Sequence, residues 1–455
     1  MSSEIIFFAE TETIGANSIY LYLDGAGVLL DSGMHPKKKD KSVFPDYQIL
    51  ENDPLDLLLL SHAHSDHLGG LPYLLKLFGH IQIYSTEPTR DIAPLMLKDT
   101  AKILKRSLSY EFPEELLSLY TPENLELIDK LLTGIKYKSP VTFESRTGKH
   151  SISFQFHDSG HILGSSATEI NVNGKNILYT SDVKFSNQTI IKGADIPTRH
   201  YDSLIIEATN AALSELPDYK YEQKKLADYI NKIVNDNGSV LIPVFSLGKY
   251  QEILNIVNNL KIACKIPNLT IYTAGLGLKI NRIYDIYNYT TRRIKPGFEF
   301  TDIPFEVIRY DEAMTGKYFR EPGIVIVPSG MMMEGTLSFN LARKWMRYRN
   351  YGIAFVGYLD EDSPAYSIAE SKEDREFIFG AKSHKRYCSV SKFRFSSHAS
   401  RDELVDFITS VKPKKLFINH GSEESIECLY KIVRDLLPQT NIVIPLAHYR
   451  YNLFT

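Results

Sequence analysis

The stretch Leu57-Leu58-Leu59-Leu60-Ser61-His62-Ala63-His64-Ser65-Asp66-His67-Leu68-Gly69-Gly70 constrains this chain more than any other. Its leucines have the length of a buried strand, and Gly69-Gly70-Leu71-Pro72 reads as a loop turning into a helix at about Leu71. Between strand and helix come three histidines and a carboxylate. Such groups are costly to bury beside an apolar run unless a cation offsets their desolvation. On extended backbone His62 and His64, two apart, reach one cation, while Asp66 and His67 at the turn point toward a second. A helical His-Glu-x-x-His pair differs, because its spacing of four brings both imidazoles to one ion. The arrangement here favours two metals.

Other chemistries are less favoured. Cys264, Cys388 and Cys428 lie far apart, which suggests neither a disulfide framework nor a thiolate zinc site and fits a reducing cytoplasm. The start, Met1 to Glu10, lacks a basic segment and a long apolar core, and no run approaches the ~18 residues of a membrane span. A soluble, cytoplasmic, unprocessed protein with no membrane partner is expected. With 455 residues, 43% hydrophobic and 24% charged, the chain can bury a sizeable core. Its formal net charge of -3 neither requires nor excludes a nucleic-acid partner, since a groove can be basic on a neutral protein.

Read in order, residues 5 to 31 form short strands around an Asp24-Gly25 turn and end at Asp31, which either forms a turn or orients a ligating histidine from behind. Helical spacing over Thr89 to Ser107 and Pro122 to Leu132 marks a helical insertion. A strand from His150 to Phe156 leads into Gly160-His161-Ile162-Leu163-Gly164-Ser165, where glycines on both sides let the His161 ring project inward as a third ligand to the first metal. His157 competes for that role but follows the strand's alternation and reads as structural. Asp182 ends a strand read from Asn176 to Val183, in order for a carboxylate that bridges two cations. Glu207 ends the next.

From about 211 helices and strands alternate, which predicts a parallel sheet covered on both faces. After about 385 the strand-then-histidine pattern returns at His398 and His420. The expected organisation is therefore a first domain over 1–210, an inserted α/β domain over 211–385, and a return to the first domain over 386–455.

Together these features resemble the β-CASP branch of the metallo-β-lactamase superfamily, a group of nucleic-acid hydrolases. Asp31, the His62 to His67 cluster, His161 and Asp182 meet the superfamily motifs, and Glu207, His398 and His420 meet the branch's own three. The resemblance implies an α/β fold, an αββα sandwich carrying an inserted parallel-sheet domain. It implies two Zn²⁺ per chain, with Mn²⁺ as the alternative: His62, His64 and His161 on one, Asp66, His67 and His420 on the other, and Asp182 between them. Donors of this kind, without thiolates, suit those metals. Asp31 would orient a ligand.

Activity follows from the same resemblance: hydroxide generated on the metals attacks phosphorus, Asp66 and His398 serve catalysis, and His398 protonates the leaving 3′ oxygen with Glu207 holding its other nitrogen. The expected enzyme is a ribonuclease leaving 5′-phosphate and 3′-hydroxyl on single-stranded RNA, as an endonuclease with 5′ to 3′ exonuclease action as a further mode, in a homodimer or a processing complex. Histidine at position 420 points to RNA, since the DNA-repair group tends to carry valine there. Three departures are visible: Glu207 is followed by Ala208-Thr209-Asn210 rather than a stretch containing Tyr-Gly, Ser181 replaces a glycine before Asp182, and Ala274-Gly275-Leu276-Gly277 replaces a Ser-Pro-Leu-Ala type of loop.

A groove for the strand would use Lys184, Lys249, Arg292, Arg293, Lys295 and Arg394, with Ser329, Gly330, Ser397 and Ser400 offering hydroxyl and amide donors to phosphate. Competing readings are a single-stranded DNA nuclease, a metal-binding subunit active only with a partner, and a small-molecule metallo-hydrolase.

Overall fold

The computed structural model describes residues 3–9, 15–38, 40–107, 113–145, 151–213, 217–315 and 318–454. His150, read as the start of a strand, lies outside them. Two compact units emerge: one comprises 1–187, 193–215 and 398–455, the other 188–192 and 216–397.

In the first unit the alternating apolar residues of Ile19–Leu23 and Ala26–Leu30 pair antiparallel around the Asp24-Gly25 turn, both of whose residues have positive φ, as a two-residue hairpin requires. Leu57–Leu59 adds parallel to Ala26–Leu30, and its leucines are fully buried, which explains an apolar run without alternation. This sheet has seven strands, and a second seven-stranded sheet carries Ser151–Asp158, Lys175–Tyr179, Ser203–Glu207 and Lys415–Asn419. Their inner faces meet in one core, where Ile19, Leu21 and Leu59 of the first sheet join Phe154, Phe156, Ile177 and Phe417 of the second. Helices Arg401–Val411 and Glu423–Leu436 cover the outer face of the second sheet through Leu404, Ile408, Ile426 and Leu429. Burying about twenty such side chains at ~1.5–3 kcal/mol each makes this sandwich a rigid frame.

Register places the chemistry. The strands ending at Leu30 and Leu59 in one sheet, and at Asp158, Tyr179, Glu207 and Asn419 in the other, all deliver their following loops to one edge of the sandwich. One refinement concerns the first cluster. Asp66 and His67 lie on a single helical turn, Ser65–Leu68, before the longer helix Leu71–Leu77, rather than on an open loop.

The second unit is a parallel six-stranded sheet with Val240–Pro243, Gly323–Val327 and Gly352–Phe355 at its centre. Helices including Tyr219–Asn235, Lys249–Ile262 and Leu337–Trp345 connect the strands, and Trp345, Phe355 and Val325 share a core. Ser389–Lys392 pairs parallel with Gly352–Phe355 and so joins this sheet, whereas the sequence reading returned to the first domain from 386. A strand's residue pattern records burial but not which sheet it edges. Among the described residues no helix is long and apolar enough to cross a membrane.

Candidate metal centre

His62, His64, His161 and Asp182 bring one ligand atom each to within 4.8 Å of one another, as do Asp66, His67 and His420. In the first group His64 turns its Nδ1 to the Nε2 atoms of His62 at 3.1 Å and His161 at 3.2 Å. Both of those Nε2 atoms lie 3.5 Å from Asp182 Oδ2. Four donors on a tetrahedron with arms of 2.0–2.1 Å would stand ~3.4 Å apart, so these edges suit one Zn²⁺. In the second group, Asp182 Oδ1 lies 3.4 Å from His67 Nε2 and 3.5 Å from His420 Nδ1, while Asp66 Oδ2 lies 3.8 Å from His67 Nε2 and 3.6 Å from His420 Nε2. Each oxygen of Asp182 thus serves a different group.

The second group fits a divalent cation on a further observation. His67 Nε2, His420 Nε2 and Asp182 Oδ1 are buried polar atoms without a hydrogen-bond partner, and all three face the second group. Leaving one such atom unsatisfied costs about 1–3 kcal/mol, which a cation among them removes.

Local charge is arranged accordingly. Burial, reinforced by the neighbouring imidazole His67, holds His62 neutral, well below the usual range for histidine. Burial also opposes a charge on His67, but the carboxylates of Asp182, Asp66 and Asp31 overcome it and drive that ring well above the usual range. His420 is raised in the same way, against burial, chiefly by Asp182. A proton on His67 is the charge that a cation would replace.

Behind the ligands stands a set of acceptors. Asp31, fully buried, takes His67 Nδ1–H at 2.7 Å, the Tyr179 hydroxyl at 2.7 Å, and the amide and hydroxyl of Ser61 at 2.7 and 2.8 Å. Ser61 Oγ also meets His62 Nδ1 at 3.0 Å and receives the Ser181 hydroxyl at 2.7 Å. Ser181 therefore uses the side chain that a glycine would lack, although its φ of 51° is left-handed, like that of Asp31 at 62° and His420 at 53°. Gly33 lies against the ligand turn so closely that a Cβ there would stand 1.7 Å from the Asp66 carbonyl.

Beside the two groups, His398 Nδ1 donates to Glu207 at 2.9 Å, and Glu207 Oε1 accepts the Val183 amide at 2.6 Å. Glu207 lifts His398 to about 9 despite its burial. The His398 ring stands 4.6 Å from that of His161, and it is 22% exposed, as Asp66 is 21% exposed, whereas Glu207 and Asp182 are 2–3% exposed. His398, Asp66 and His64 are thus the part-exposed residues of the centre.

The remaining sequence candidates fare differently. His157 is tied to Glu169 at 2.9 Å, in keeping with a structural role. Ser400 caps the helix Arg401–Val411 by accepting the Glu403 amide, and buried Lys184 lies 3.5 Å from Glu403. Arg293, expected in a groove, is buried and donates to the Tyr284 carbonyl at 2.7 Å. Lys249 and Gly330 line a small recess of the second unit with Phe245 and Tyr358, and Lys249 Nζ donates to the Phe395 carbonyl. Ser329 adjoins that recess through Gly330 and accepts the Ser338 hydroxyl on its carbonyl. Ser397, Arg292, Lys295 and Arg394 are part-exposed or exposed. Sequence reasoning missed the hydroxyls of Ser61, Tyr179 and Thr209, because nothing in their spacing reveals partners that the fold supplies.

Residues 20–210 match the metallo-β-lactamase superfamily domain, 250–368 the β-CASP domain, and 383–444 a domain described as the Zn-dependent metallo-hydrolase RNA specificity domain. The chain is 30% identical over 426 residues to an RNase J-like protein of Methanocaldococcus jannaschii, covering 91% of each. This chain belongs to the β-CASP branch of the metallo-β-lactamase superfamily. The β-CASP protein is also 29% identical to cleavage and polyadenylation specificity factor 73 of Drosophila melanogaster, over 92% of this chain but 60% of the fly protein. Integrator complex subunit 11 of Danio rerio is 25% identical over 92% of this chain and 69% of its own. A crystal structure of a protein of unknown function from Enterococcus faecalis V583 shares the fold of this β-CASP protein, with a TM-score of 0.58 at 14% identity, over 99% of this chain and 100% of that one.

Proposed function

We propose that this β-CASP protein is a zinc-dependent ribonuclease that hydrolyses phosphodiester bonds of single-stranded RNA to 5′-phosphate and 3′-hydroxyl ends. The observation that carries this reading is Asp182, whose two oxygens face two complete donor groups beside the His398–Glu207 pair. His62, His64, His161 and Asp182 would hold one Zn²⁺, and Asp66, His67, His420 and Asp182 the other, with Mn²⁺ as the competing ion. When bound, two such cations supply Lewis acidity to the phosphate and lower the pKa of a shared water toward ~7.

The chain's own groups do the rest. Asp31 fixes His67 with its proton on Nδ1, so that Nε2 presents a lone pair. Glu207 holds Nδ1 of His398 and turns the ring's other nitrogen to the substrate, where its proton passes to the departing 3′ oxygen. The partly exposed edges of His398 and Asp66 define the side from which the scissile phosphate enters. RNA as substrate is supported by the names of the ribonuclease relatives and of the C-terminal domain. Work in the cytoplasm, as a homodimer or within a processing complex, belongs to the same proposal; the relatives named as subunits of larger assemblies support the last.

The test is cleavage of 5′-labelled single-stranded RNA and DNA of one sequence by metal-analysed protein. RNA cut to 5′-phosphate ends, lost in Asp66→Ala and His398→Ala, is expected, and product lengths separate endonuclease from 5′ to 3′ exonuclease action. A 2′,3′-cyclic phosphate product would overturn the mechanism, and equal cleavage of both strands would overturn the RNA assignment.

A further inference from the structure

The hydroxyl of Thr209 stands between the two halves of the centre. Its Oγ1 reaches Glu207 Oε2 on one side, and on the other lies 3.3 Å from His420 Nδ1. Thr209 lies two residues past Glu207, where the strand Ser203–Glu207 gives way to a turn in which the Ala211 amide donates to the Ala208 carbonyl at 3.1 Å. The loop is seated by the Ala208 amide, which donates to the His420 carbonyl at 3.2 Å, and by Gly421, where a Cβ would come within 2.9 Å of the Ala208 carbonyl. The hydroxyl also lies 3.2 Å from the His420 carbonyl; its single proton goes to the charged Glu207 carboxylate, the stronger and nearer acceptor, and the hydroxyl oxygen is left to accept His420 Nδ1–H. That assignment leaves the lone pair of His420 on Nε2, the buried atom without a hydrogen-bond partner that lies 3.6 Å from Asp66 Oδ2.

We propose that Thr209 is the positioning residue that fixes His420 for the second cation and ties that ligand to the Glu207–His398 pair. Each ligating ring of known surroundings then has its own acceptor: Asp31 for His67, Ser61 for His62, and Thr209 for His420. Only the last also touches the residue that orients the proton donor. The β-branched side chain holds the hydroxyl in a narrow range of χ1, as a two-sided contact requires. Filling of the second cation position and alignment of His398 are thereby linked through one hydrogen-bonded chain, His420–Thr209–Glu207–His398.

This inference rests on the two-cation reading above, and its test needs no RNA. Zinc affinity is measured stepwise by competition with a chromophoric chelator for the full-length wild type, Thr209→Val and Thr209→Ser, with thermal midpoints in excess chelator as the folding control. Thr209→Val is expected to weaken one of the two sites about tenfold to a hundredfold and leave the other within about twofold. Thr209→Ser, which restores the hydroxyl, should recover most of the loss. Two wild-type affinities in Thr209→Val, a serine variant no better than valine, or equal weakening at both sites would each overturn the proposal. Thr209→Ala carries the same comparison if the valine variant does not fold. Absence of ribonuclease activity in the wild type would refute the proposed reaction and leave the metal titration to decide this point.

Discussion

Replacing Asp31 by Asn tests whether the centre is built from behind its ligands. The carboxylate accepts four hydrogen bonds, and Asn, with one oxygen and one NH₂, cannot accept them all. With its oxygen toward Ser61 Oγ, Tyr179 and His67, the NH₂ faces the Ser61 amide, and a buried donor left unsatisfied costs about 1–3 kcal/mol. With the amide reversed, the hydroxyls can rotate but His67 Nδ1 must accept, which moves the ring's proton to Nε2, the atom aimed at the second group. Either orientation also loses the charge that makes His67 a good donor to a cation. The expected effect is a tenfold to hundredfold loss at one of two zinc sites, about 1.4–2.7 kcal/mol, with the His62–His64–His161 site, which Asp31 reaches only through Ser61, weakened less. Stepwise competition against a chelator measures both. Equal weakening at the two sites, or none, would refute the reasoning and leave Asp31 a fold residue only.

Three further outcomes follow from the geometry. His398→Ala should retain both zinc ions by elemental analysis yet cut RNA roughly 10²–10⁴-fold more slowly, because a general acid supplies that much; loss of metal would contradict it. Burial disfavours charge on His67 and His420, yet nearby carboxylates raise both above the usual 6.5, His67 well above it, so the metal-free site binds protons more tightly than free imidazole does and cations must displace them. Zinc binding should therefore release protons and tighten as pH rises from 6 to 8, which calorimetry in buffers of different ionisation enthalpy reads; uptake of protons would reverse the assignment. Gly33→Ala forces a Cβ to 1.7 Å from the Asp66 carbonyl, so the ligand turn must move, and zinc at the second group should fall at least tenfold even where the protein still folds.

The legible part of this molecule was its densest chemistry. His62 to His67 point to a metal site because such groups are costly to bury otherwise, and His161, Asp182 and His420 each follow, and Glu207 ends, a strand whose burial pattern is plain. What stayed hidden depends on distance in space: Tyr179 meets Asp31 across 148 positions, and no periodicity encodes that. Basic residues misled because Arg293 and Lys184 are charged in sequence but buried in the fold, Arg293 on the Tyr284 carbonyl and Lys184 beside Glu403, 219 positions away. The run before His398 reads as extended, but the sheet that its Ser389–Lys392 strand joins is decided by pairing with Gly352–Phe355.

Asp31, Ser181 and His420 all hold left-handed backbone at the centre. At about 1 kcal/mol each, they withdraw roughly 3 kcal/mol from a native state whose whole margin is about 5–15 kcal/mol. Cations that bind only the folded chain return that margin by mass action. If zinc fills these groups, a chain folded without it would be less stable as well as idle, so metal supply would set how much of the protein stays folded as well as how fast it turns over.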